Sequence, residues 1–450
     1  MELQGRKVLV VGLGRSGVAA ARLLLTQGAH VIGNDQRSAN ELSDDARRLA
    51  DEGVELALGG HDAALFTSVD QIVLSPGVPM LPALQAAERA GIPIASEIEL
   101  AARFVRGTLV GITGTNGKST VTTLVGDMCL RSGRPTFVGG NLGTPLVDVV
   151  GTPAAGVGGY VVVELSSFQL ERIDKLHIEV AALLNVTEDH LDRYASFEAY
   201  ADAKAGVFHN QTAADTAVVP SGDALCQALA RRSAARVYSF GGADSAVRIV
   251  AGELVDTESG LRVPLSEISL SGKHNHDNAC AAALIARLAG VSPEHVRAAL
   301  VAFRGLPHRM QHVRRLADVD YYDDSKATNV GATAAALDGL GDRKVVLIAG
   351  GRDKGGDYAP IAQRMQARGR ATVLIGEAAP LIAAALQDKG CRIERAQDLP
   401  GAVQRARELA RPGDAVLLAP ACSSFDMFRS YAHRGDEFQS AVRSLAGGAG

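Results

Sequence analysis

The stretch Gly111-Ile-Thr-Gly-Thr-Asn-Gly-Lys-Ser-Thr120 is the strongest indication of fold and function in this chain. It begins within the apolar run Leu109–Ile112, which is typical of a buried strand, and is followed by a helical pattern. A strand, a glycine-rich loop and a helix N-terminus form a phosphate cradle, because backbone N–H groups and about half a positive charge face the anion. Lys118 can reach the terminal phosphates, and Ser119 can hold a Mg²⁺ bound to them.

The loop departs from the usual P-loop spacing. Counted back from Gly117-Lys118-Ser119, the strict pattern requires glycine at position 112, which is isoleucine here. The sequence therefore predicts a variant phosphate loop. A glycine-rich turn beside a surface lysine is the alternative.

The composition limits the class of protein. A length of 450 residues predicts about three domains. A net charge of −4 with interspersed signs gives no basic face for nucleic acid, and no apolar run approaches the roughly 20 residues needed to cross a bilayer. The five cysteines have no CxxC spacing and are typical of reduced thiols. We expect a cytoplasmic protein with no nucleic-acid or membrane partner.

Strand and helix patterns alternate along the whole chain, which predicts an α/β protein built on mostly parallel sheets. We predict three domains: a Rossmann-like domain over residues 1–96, a central P-loop ATPase-like domain over 97–304, and a second Rossmann-like domain over 305–450. The stretch Ala213–Pro264 is less regular, and we expect small antiparallel strands there.

The segment Gly12-Leu-Gly-Arg-Ser-Gly17 follows a strand and opens a helix, and Asp35 ends the next strand. This arrangement matches the dinucleotide fingerprint, but any nucleotide diphosphate could bind it. The phosphate loop in the next domain favours a nucleotide-sugar diphosphate over NAD.

Ionisable residues follow two strands of the central domain. Glu164 ends the strand that follows the phosphate loop, and an acidic residue at such a position is what a second Mg²⁺ contact requires. The alternative is a solvated strand end. His190 belongs to the polar run Asn185–Arg193 and could bind Mg²⁺, orient another group or be a satisfied core residue. Lys204 lies on a helix with an apolar face, and its pattern alone indicates a surface lysine.

Three polar loops follow strands of the last domain, namely Asp323–Asn329, Gly350–Gly356 and Pro420–Phe425. Each is ambiguous alone. Because parallel strands present their carboxyl ends at one edge of a sheet, we predict a joint site for an acidic substrate, with Lys354 as an anion clamp.

These motifs resemble those of the Mur ligases of peptidoglycan synthesis, over residues 5 to about 440. Gly114–Thr120 resembles the ATP motif of that superfamily. Three further segments resemble the branch that adds D-glutamate: Glu164–Leu170, Asn185–Tyr194 and Asp324–Asn329.

The resemblance implies an ATP-dependent, amide-forming ligase that acts on small molecules. ATP would phosphorylate the carboxylate of UDP-N-acetylmuramoyl-L-alanine, and the amine of D-glutamate would attack the acyl phosphate through a tetrahedral intermediate. It further implies ATP and two Mg²⁺ ions as cofactors, a carbamylated Lys204, and a monomer acting in cytoplasmic precursor synthesis.

The resemblance also implies roles for individual residues. The catalytic set comprises Lys118, Glu164, His190, Lys204 and Asn141, and the Mg²⁺ ligands are Ser119, Glu164, His190 and the carbamylated Lys204. ATP would contact Gly114, Thr115, Asn116, Gly117, Lys118, Ser119, Thr120, Asn275, Asn278, Arg309 and Asp324. The UDP-substrate would contact Gly14, Arg15, Ser16, Asp35, Arg37, Ser75, Gly77 and Asn141. Glutamate would contact Lys326, Thr328, Lys354, Ser424 and Phe425. The loop with Lys354 varies between relatives.

Two other functions stay open: a nicotinamide-dependent dehydrogenase that uses the first domain, and a nucleotide-sugar sensor without catalysis.

Overall fold

The computed structural model describes residues 3–190, 193–270, 272–387 and 389–446. Its first sheet is wholly parallel and has the order β3-β2-β1-β4-β5. The strands are β1 (Lys7–Val11), β2 (His30–Asp35), β3 (Glu55–Leu58), β4 (Gln71–Leu74) and β5 (Ile94–Ser96). The helices are α1 (Arg15–Thr26), α2 (Asp44–Arg48), α3 (Ala63–Phe66) and α4 (Pro82–Arg89). Buried Leu9, Ile32 and Leu84 contribute to its core.

The second sheet has nine strands in the order β14-β13-β12-β11-β10-β9-β6-β8-β7. The strands are β6 (Thr108–Thr113), β7 (Thr136–Gly140), β8 (Tyr160–Glu164), β9 (Val180–Leu183), β10 (Thr216–Pro220), β11 (Arg236–Phe240), β12 (Val247–Val250), β13 (Glu253–Asp256) and β14 (Arg262–Pro264). The helices are α5 (Glu97–Ala102), α6 (Lys118–Arg131), α7 (Ser167–Leu170), α8 (Phe197–Ala205), α9 (Ala224–Ala230), α10 (Lys273–Leu288) and α11 (Pro293–Ala302).

The expectation of antiparallel strands over Ala213–Pro264 is wrong for the first half of that stretch. β10 and β11 continue the parallel sheet, and only β12, β13 and β14 pair in antiparallel fashion. The reason is burial, since Ala217, Val218 and Val219 of β10 are fully buried against β9 and β11.

The third sheet has the order β15-β16-β20-β17-β18-β19 and is parallel except for β15. The strands are β15 (Gln311–Leu316), β16 (Val319–Asp323), β17 (Val345–Gly350), β18 (Gly369–Ile375), β19 (Arg392–Arg395) and β20 (Ala415–Leu418). The helices are α12 (Val330–Gly339), α13 (Ala359–Arg368), α14 (Ala379–Leu386), α15 (Leu399–Leu409) and α16 (Tyr431–Ser444). Buried residues cover both of its faces.

The described residues divide into two compact units. Unit 1 contains the first two sheets and lies within Met1–Asn185, Ala201–Pro264 and Ala279–Leu300. Unit 2 contains the third sheet and lies within Val186–Tyr200, Leu265–Asn278 and Val301–Gly450. The predicted α/β class with three mostly parallel sheets is confirmed. In the described ranges, no helix combines the length and apolar character that a membrane span requires.

Candidate active site

The phosphate loop lies at the carboxyl end of β6, and α6 begins at Lys118. Gly114 has φ +149° and Gly117, the N-cap of α6, has φ +85°, so both occupy backbone conformations that side chains disfavour. The Lys118 ammonium donates to the carbonyl oxygens of Gly114 and Thr115, each at 2.8 Å. The loop is therefore preformed, with its lysine held over the backbone that leads into the helix.

Asn185 holds the phosphate loop from the neighbouring strand end. Its side-chain oxygen accepts from the Asn116 N–H at 2.8 Å, and its amide donates to the Asn116 carbonyl at 3.0 Å. The Asn185 carbonyl also accepts from the Thr115 N–H at 3.0 Å. This residue belongs to a segment that the sequence singled out, but its role needed the pairing of β6 with β9.

Glu164 lies beside the start of the same loop, because its strand pairs with β6 at Ile112 and with β7 at Gly140. It is 3% exposed, and its carboxylate accepts from the Asn141 side chain at 2.7 Å. A Cβ on Gly140 would lie 2.4 Å from the Glu164 carbonyl oxygen, so glycine permits this approach. The structure thus brings together Glu164 and Asn141, which the sequence predicted separately.

Lys204 is not a surface lysine, so the interpretation from its sequence pattern alone is wrong. It is 2% exposed, and its ammonium donates to the Gly114 carbonyl oxygen at 2.8 Å. The helix pattern failed here because it shows which face is apolar, not which polar side chain turns inward. The remaining loop residues, Ser119 and Thr120, are also buried.

The fingerprint loop of the first sheet is held by polar contacts. Asp35 accepts from the Leu13 N–H at 2.8 Å and from the Arg37 guanidinium at 2.8 and 2.9 Å. Burial alone would raise the pKa of Asp35, but the bonds from Arg37 and Leu13 lower it to about 2. Ser75 donates to the Gly12 carbonyl at 2.6 Å.

The other predicted residues of this region border the same strand ends. Gly14 is the N-cap of α1, Arg15 and Ser16 open that helix, and Gly77 follows β4 with φ +88°. The Asp35 carboxylate is already bonded to the Leu13 N–H and to Arg37. In a dehydrogenase, such a carboxylate accepts hydrogen bonds from the ribose of the cofactor, so this arrangement does not favour NAD.

In unit 2, the three predicted loops follow β16, β17 and β20, which are adjacent in the sheet. Backbone bonds join them: the Ala421 N–H donates to the Ala327 carbonyl at 2.9 Å, and Arg352 exchanges two bonds of 3.0 Å with Ser423. The predicted juxtaposition of the loops is therefore present.

The predicted residues on these loops differ in exposure. Ser424 is 2% exposed and Phe425 is 67% exposed. The Lys326 ammonium lies 5.2 Å from the centre of the Tyr431 ring, and the Thr328 N–H donates to the Lys326 carbonyl.

Asp189 joins two of these predicted regions within unit 2. Its carboxylate accepts from Lys354 at 3.3 Å and from the Asn329 amide at 3.1 Å. His190, directly after it, has φ +57° and lies 3.7 Å from the same carboxylate. Sequence reasoning chose His190 and missed Asp189, and the only signal was the cluster of ionisable residues around it.

Asp324 is a buried carboxyl group beside Arg309. It accepts from the Met310 N–H at 3.2 Å. Burial raises the pKa of Asp324 to about 6, against the attraction of the Arg309 charge. Asn275 and Asn278 lie near the start of α10, 3.5 Å apart between amide nitrogen and oxygen.

Three family models match the chain. They are the MurD-like N-terminal domain of Mur ligases over residues 6–96, the Mur ligase middle domain over 112–286, and the glutamate ligase domain of Mur ligases over 308–422. The chain belongs to the Mur ligase family.

Full-length relatives agree with this assignment. Proteins from Geotalea daltonii and Trichlorobacter lovleyi, both named UDP-N-acetylmuramoylalanine–D-glutamate ligase, are each 46% identical to the chain. The first match covers 100% of this chain and 99% of the relative, and the second covers 99% and 100%. The predicted family and the predicted ligase activity are confirmed.

Solved structures of Mur-type ligases share the fold. A pseudomurein peptide ligase type C from Methanothermus fervidus has a TM-score of 0.63 at 17% identity and covers 98% of this chain and 100% of its own. MurF ligase from Thermotoga maritima, in complex with ADP, has a TM-score of 0.61 at 16% identity, with 98% and 96% covered.

Proposed function

We propose that this Mur ligase adds D-glutamate to UDP-N-acetylmuramoyl-L-alanine at the expense of ATP, as a step in peptidoglycan precursor synthesis. The observation that carries the proposal is the 46% identity, over the whole length, to ligases with that name. The phosphate loop and the joined loops of the third sheet support it independently of the names.

The reaction needs activation because a carboxylate is a poor electrophile. An oxygen of the alanyl carboxylate attacks the γ-phosphorus, and ADP leaves. The glutamate amine then attacks the acyl carbon and loses a proton, and the tetrahedral intermediate expels phosphate together with that oxygen. Alignment and neutralisation of charge are the main tasks of the protein.

We assign ATP binding to the phosphate loop and to four residues outside it. The loop Gly114–Thr120 holds the phosphates with its N–H groups, and Lys118 neutralises the terminal one. Asn275 and Asn278 flank the adenine, while Arg309 and Asp324 contact the rest of the nucleotide.

The oxygen donors of Ser119 and Glu164 fit Mg²⁺, which is usually held by one or two carboxylates together with substrate phosphates. Among the described residues, no group of three His, Cys, Asp or Glu side chains is placed to hold a metal ion. Two Mg²⁺ ions would offset charge on the transferring phosphoryl group, with His190 and a carbamylated Lys204 assisting.

Carbamylation of Lys204 is supported by its burial, because an unmodified ammonium would be a buried charge. A carbamate would replace a buried ammonium by an anion able to face Mg²⁺. We expect Lys204→Ala to lose activity and to regain part of it with small carboxylic acids, measured as phosphate release. Lys204→Arg, which keeps the positive charge, is the control, and its rescue by the same acids would contradict the carbamate.

The UDP-substrate is assigned to the first sheet, at Gly14, Arg15, Ser16, Asp35, Arg37, Ser75 and Gly77, with Asn141 near the reacting carboxylate. Glutamate is assigned to Lys326, Thr328, Lys354, Ser424 and Phe425. Lys326 and Lys354 lie on the loops after β16 and β17, the two strands that flank β20 in the sheet, and two lysines suit a dicarboxylate substrate.

The domain boundaries near residues 96 and 304 are also proposed, and the matched family spans agree with them. We further propose a monomer in the cytoplasm, where ATP is available.

Phosphate release from ATP tests the function. We expect release only when UDP-N-acetylmuramoyl-L-alanine and D-glutamate are both present. Release that ignores the amino acid would contradict the proposal. NAD(P)H binding detected by fluorescence would favour the dehydrogenase instead.

A further inference from the structure

Tyr358 is a buried phenol just before α13, 7% exposed, and it lies outside the predicted site set. Its hydroxyl donates to Asp353 at 2.6 Å and lies 3.3 Å from the Cys422 sulfur. A phenol carries one proton and a carboxylate only accepts, so the Cys422 thiol donates to the phenol oxygen. A chain of hydrogen bonds therefore runs from Cys422 through Tyr358 to Asp353.

Asp353 fixes the backbone on either side of Lys354. While one carboxylate oxygen accepts from Tyr358, the other accepts from the Gly355 N–H at 3.1 Å. Gly355 has φ +76°, so the turn takes a conformation that few other residues adopt. The two neighbours of Lys354 are therefore tied together, because the Asp353 carboxylate accepts a hydrogen bond from the Gly355 N–H.

The same loop is attached to the Pro420–Phe425 loop at a second point. Arg352 and Ser423 exchange two backbone hydrogen bonds of 3.0 Å. A Cβ on Gly351 would lie 2.2 Å from the Ser423 carbonyl oxygen, so the two backbones approach each other closely there. Cys422, the neighbour of Ser423, makes the first attachment through Tyr358.

Burial keeps both hydrogen-bond donors protonated. It raises the pKa of Tyr358, and it raises the pKa of the Cys422 thiol to about 11. The chain of bonds therefore persists throughout the neutral range.

We propose that Tyr358 and Asp353 are positioning residues that hold Lys354 in place for a carboxylate of the amino-acid substrate. This inference rests on the proposed function, which assigns Lys354 to that substrate. The pair acts through the loop and does not itself contact the reacting atoms.

Tyr358→Phe tests the proposal because it removes only the hydroxyl. We expect KM for D-glutamate to rise about three- to tenfold, the range that the loss of one net hydrogen bond produces. KM for ATP and KM for the UDP-substrate stay unchanged. If Tyr358 only fills the core, stability falls without this selective effect.

Tyr160→Phe is the matched control. The Tyr160 hydroxyl is likewise buried, accepting from Arg134 at 2.6 Å and donating to the Ala289 carbonyl at 3.1 Å, but it lies in unit 1. We expect this variant to lose stability with no change in KM for D-glutamate.

Asp353→Asn gives a second measurement at a partly exposed position, and it decides the matter should Tyr358→Phe fail to fold. If the two residues act as one unit, the double variant has the same KM for D-glutamate as Asp353→Asn alone. Additive effects, an unchanged KM for D-glutamate, or an equal rise in all three KM values would each overturn the proposal.

Failure of the proposed function can be distinguished from failure of the positioning role. If the wild-type enzyme couples another amino acid, the function is wrong. The KM comparison is then made with that amino acid, and it still decides the positioning role.

Discussion

The position of the Lys118 side chain is fixed by the protein itself, because its ammonium donates to two carbonyl oxygens of its own loop. We expect Lys118→Ala to lower the turnover number by about 100-fold or more, because the variant lacks the positive charge that stabilises the transferring phosphoryl group. Phosphate release measures it. The exposed Lys175, changed to alanine, is the control. Nearly wild-type turnover in Lys118→Ala would refute the proposed role of Lys118 in the phosphate loop.

Asp324 makes stability depend on pH with a defined sign. Its pKa is raised from 3.8 to about 6, so its contribution to stability is complete below pH 3.8 and is lost as the pH rises through 6. Asp324→Asn stays neutral, so we expect it to gain stability relative to the wild type by about 1.4 kcal/mol per pH unit in that interval. Urea midpoints of both proteins from pH 4 to 7 measure it. Parallel curves would contradict the raised pKa.

Helix α16 holds the site loops of unit 2 through hydrogen bonds from its buried side chains. Arg434 is fully buried and donates to the carbonyls of Ser325 and Cys422 at 2.9 and 3.2 Å. Five residues further along the helix, Gln439 donates to Asp323 at 2.8 Å. A single helix thus fixes the loops after β16 and β20 together.

Gly435 of α16 gives a prediction that opposes helix propensity. Gly→Ala inside a helix normally stabilises by about 1 kcal/mol. Here the new Cβ would lie 2.1 Å from His308 Nδ1, and that ring is held by Asp323 at 2.7 Å. We expect Gly435→Ala to lower the melting temperature. Gly339→Ala in α12, where the nearest atom is 3.5 Å away, is the control and should be neutral or stabilising. Equal behaviour of the two variants would contradict the tight packing.

Across the chain, sequence patterns predicted the α/β class and the strand ends that carry the predicted site, but not the parallel pairing of β10 and β11. As predicted, β6 contains Leu109–Ile112, β2 ends at Asp35 and β8 ends at Glu164, because short continuous apolar runs bounded by polar residues favour buried strands. The grouping of the loops followed from the parallel topology.

The residues that sequence reasoning missed share a physical property. Asn185, Asp189 and Tyr358 each contact a partner 64 to 165 positions away along the chain, which tertiary packing brings near. Lys204 was misjudged from its pattern for the same reason, since its partner Gly114 is 90 positions away. Local periodicity carries no information on such pairs.

ATP-dependent coupling across a panel of D- and L-amino acids tests the proposed activity most directly, with UDP-N-acetylmuramoyl-L-alanine as acceptor and product mass as the readout. We predict a product that is heavier than the acceptor by one glutamyl residue, formed with D-glutamate and not with L-glutamate. Coupling of a different amino acid, or product formed without ATP, would contradict the proposed D-glutamate ligase activity.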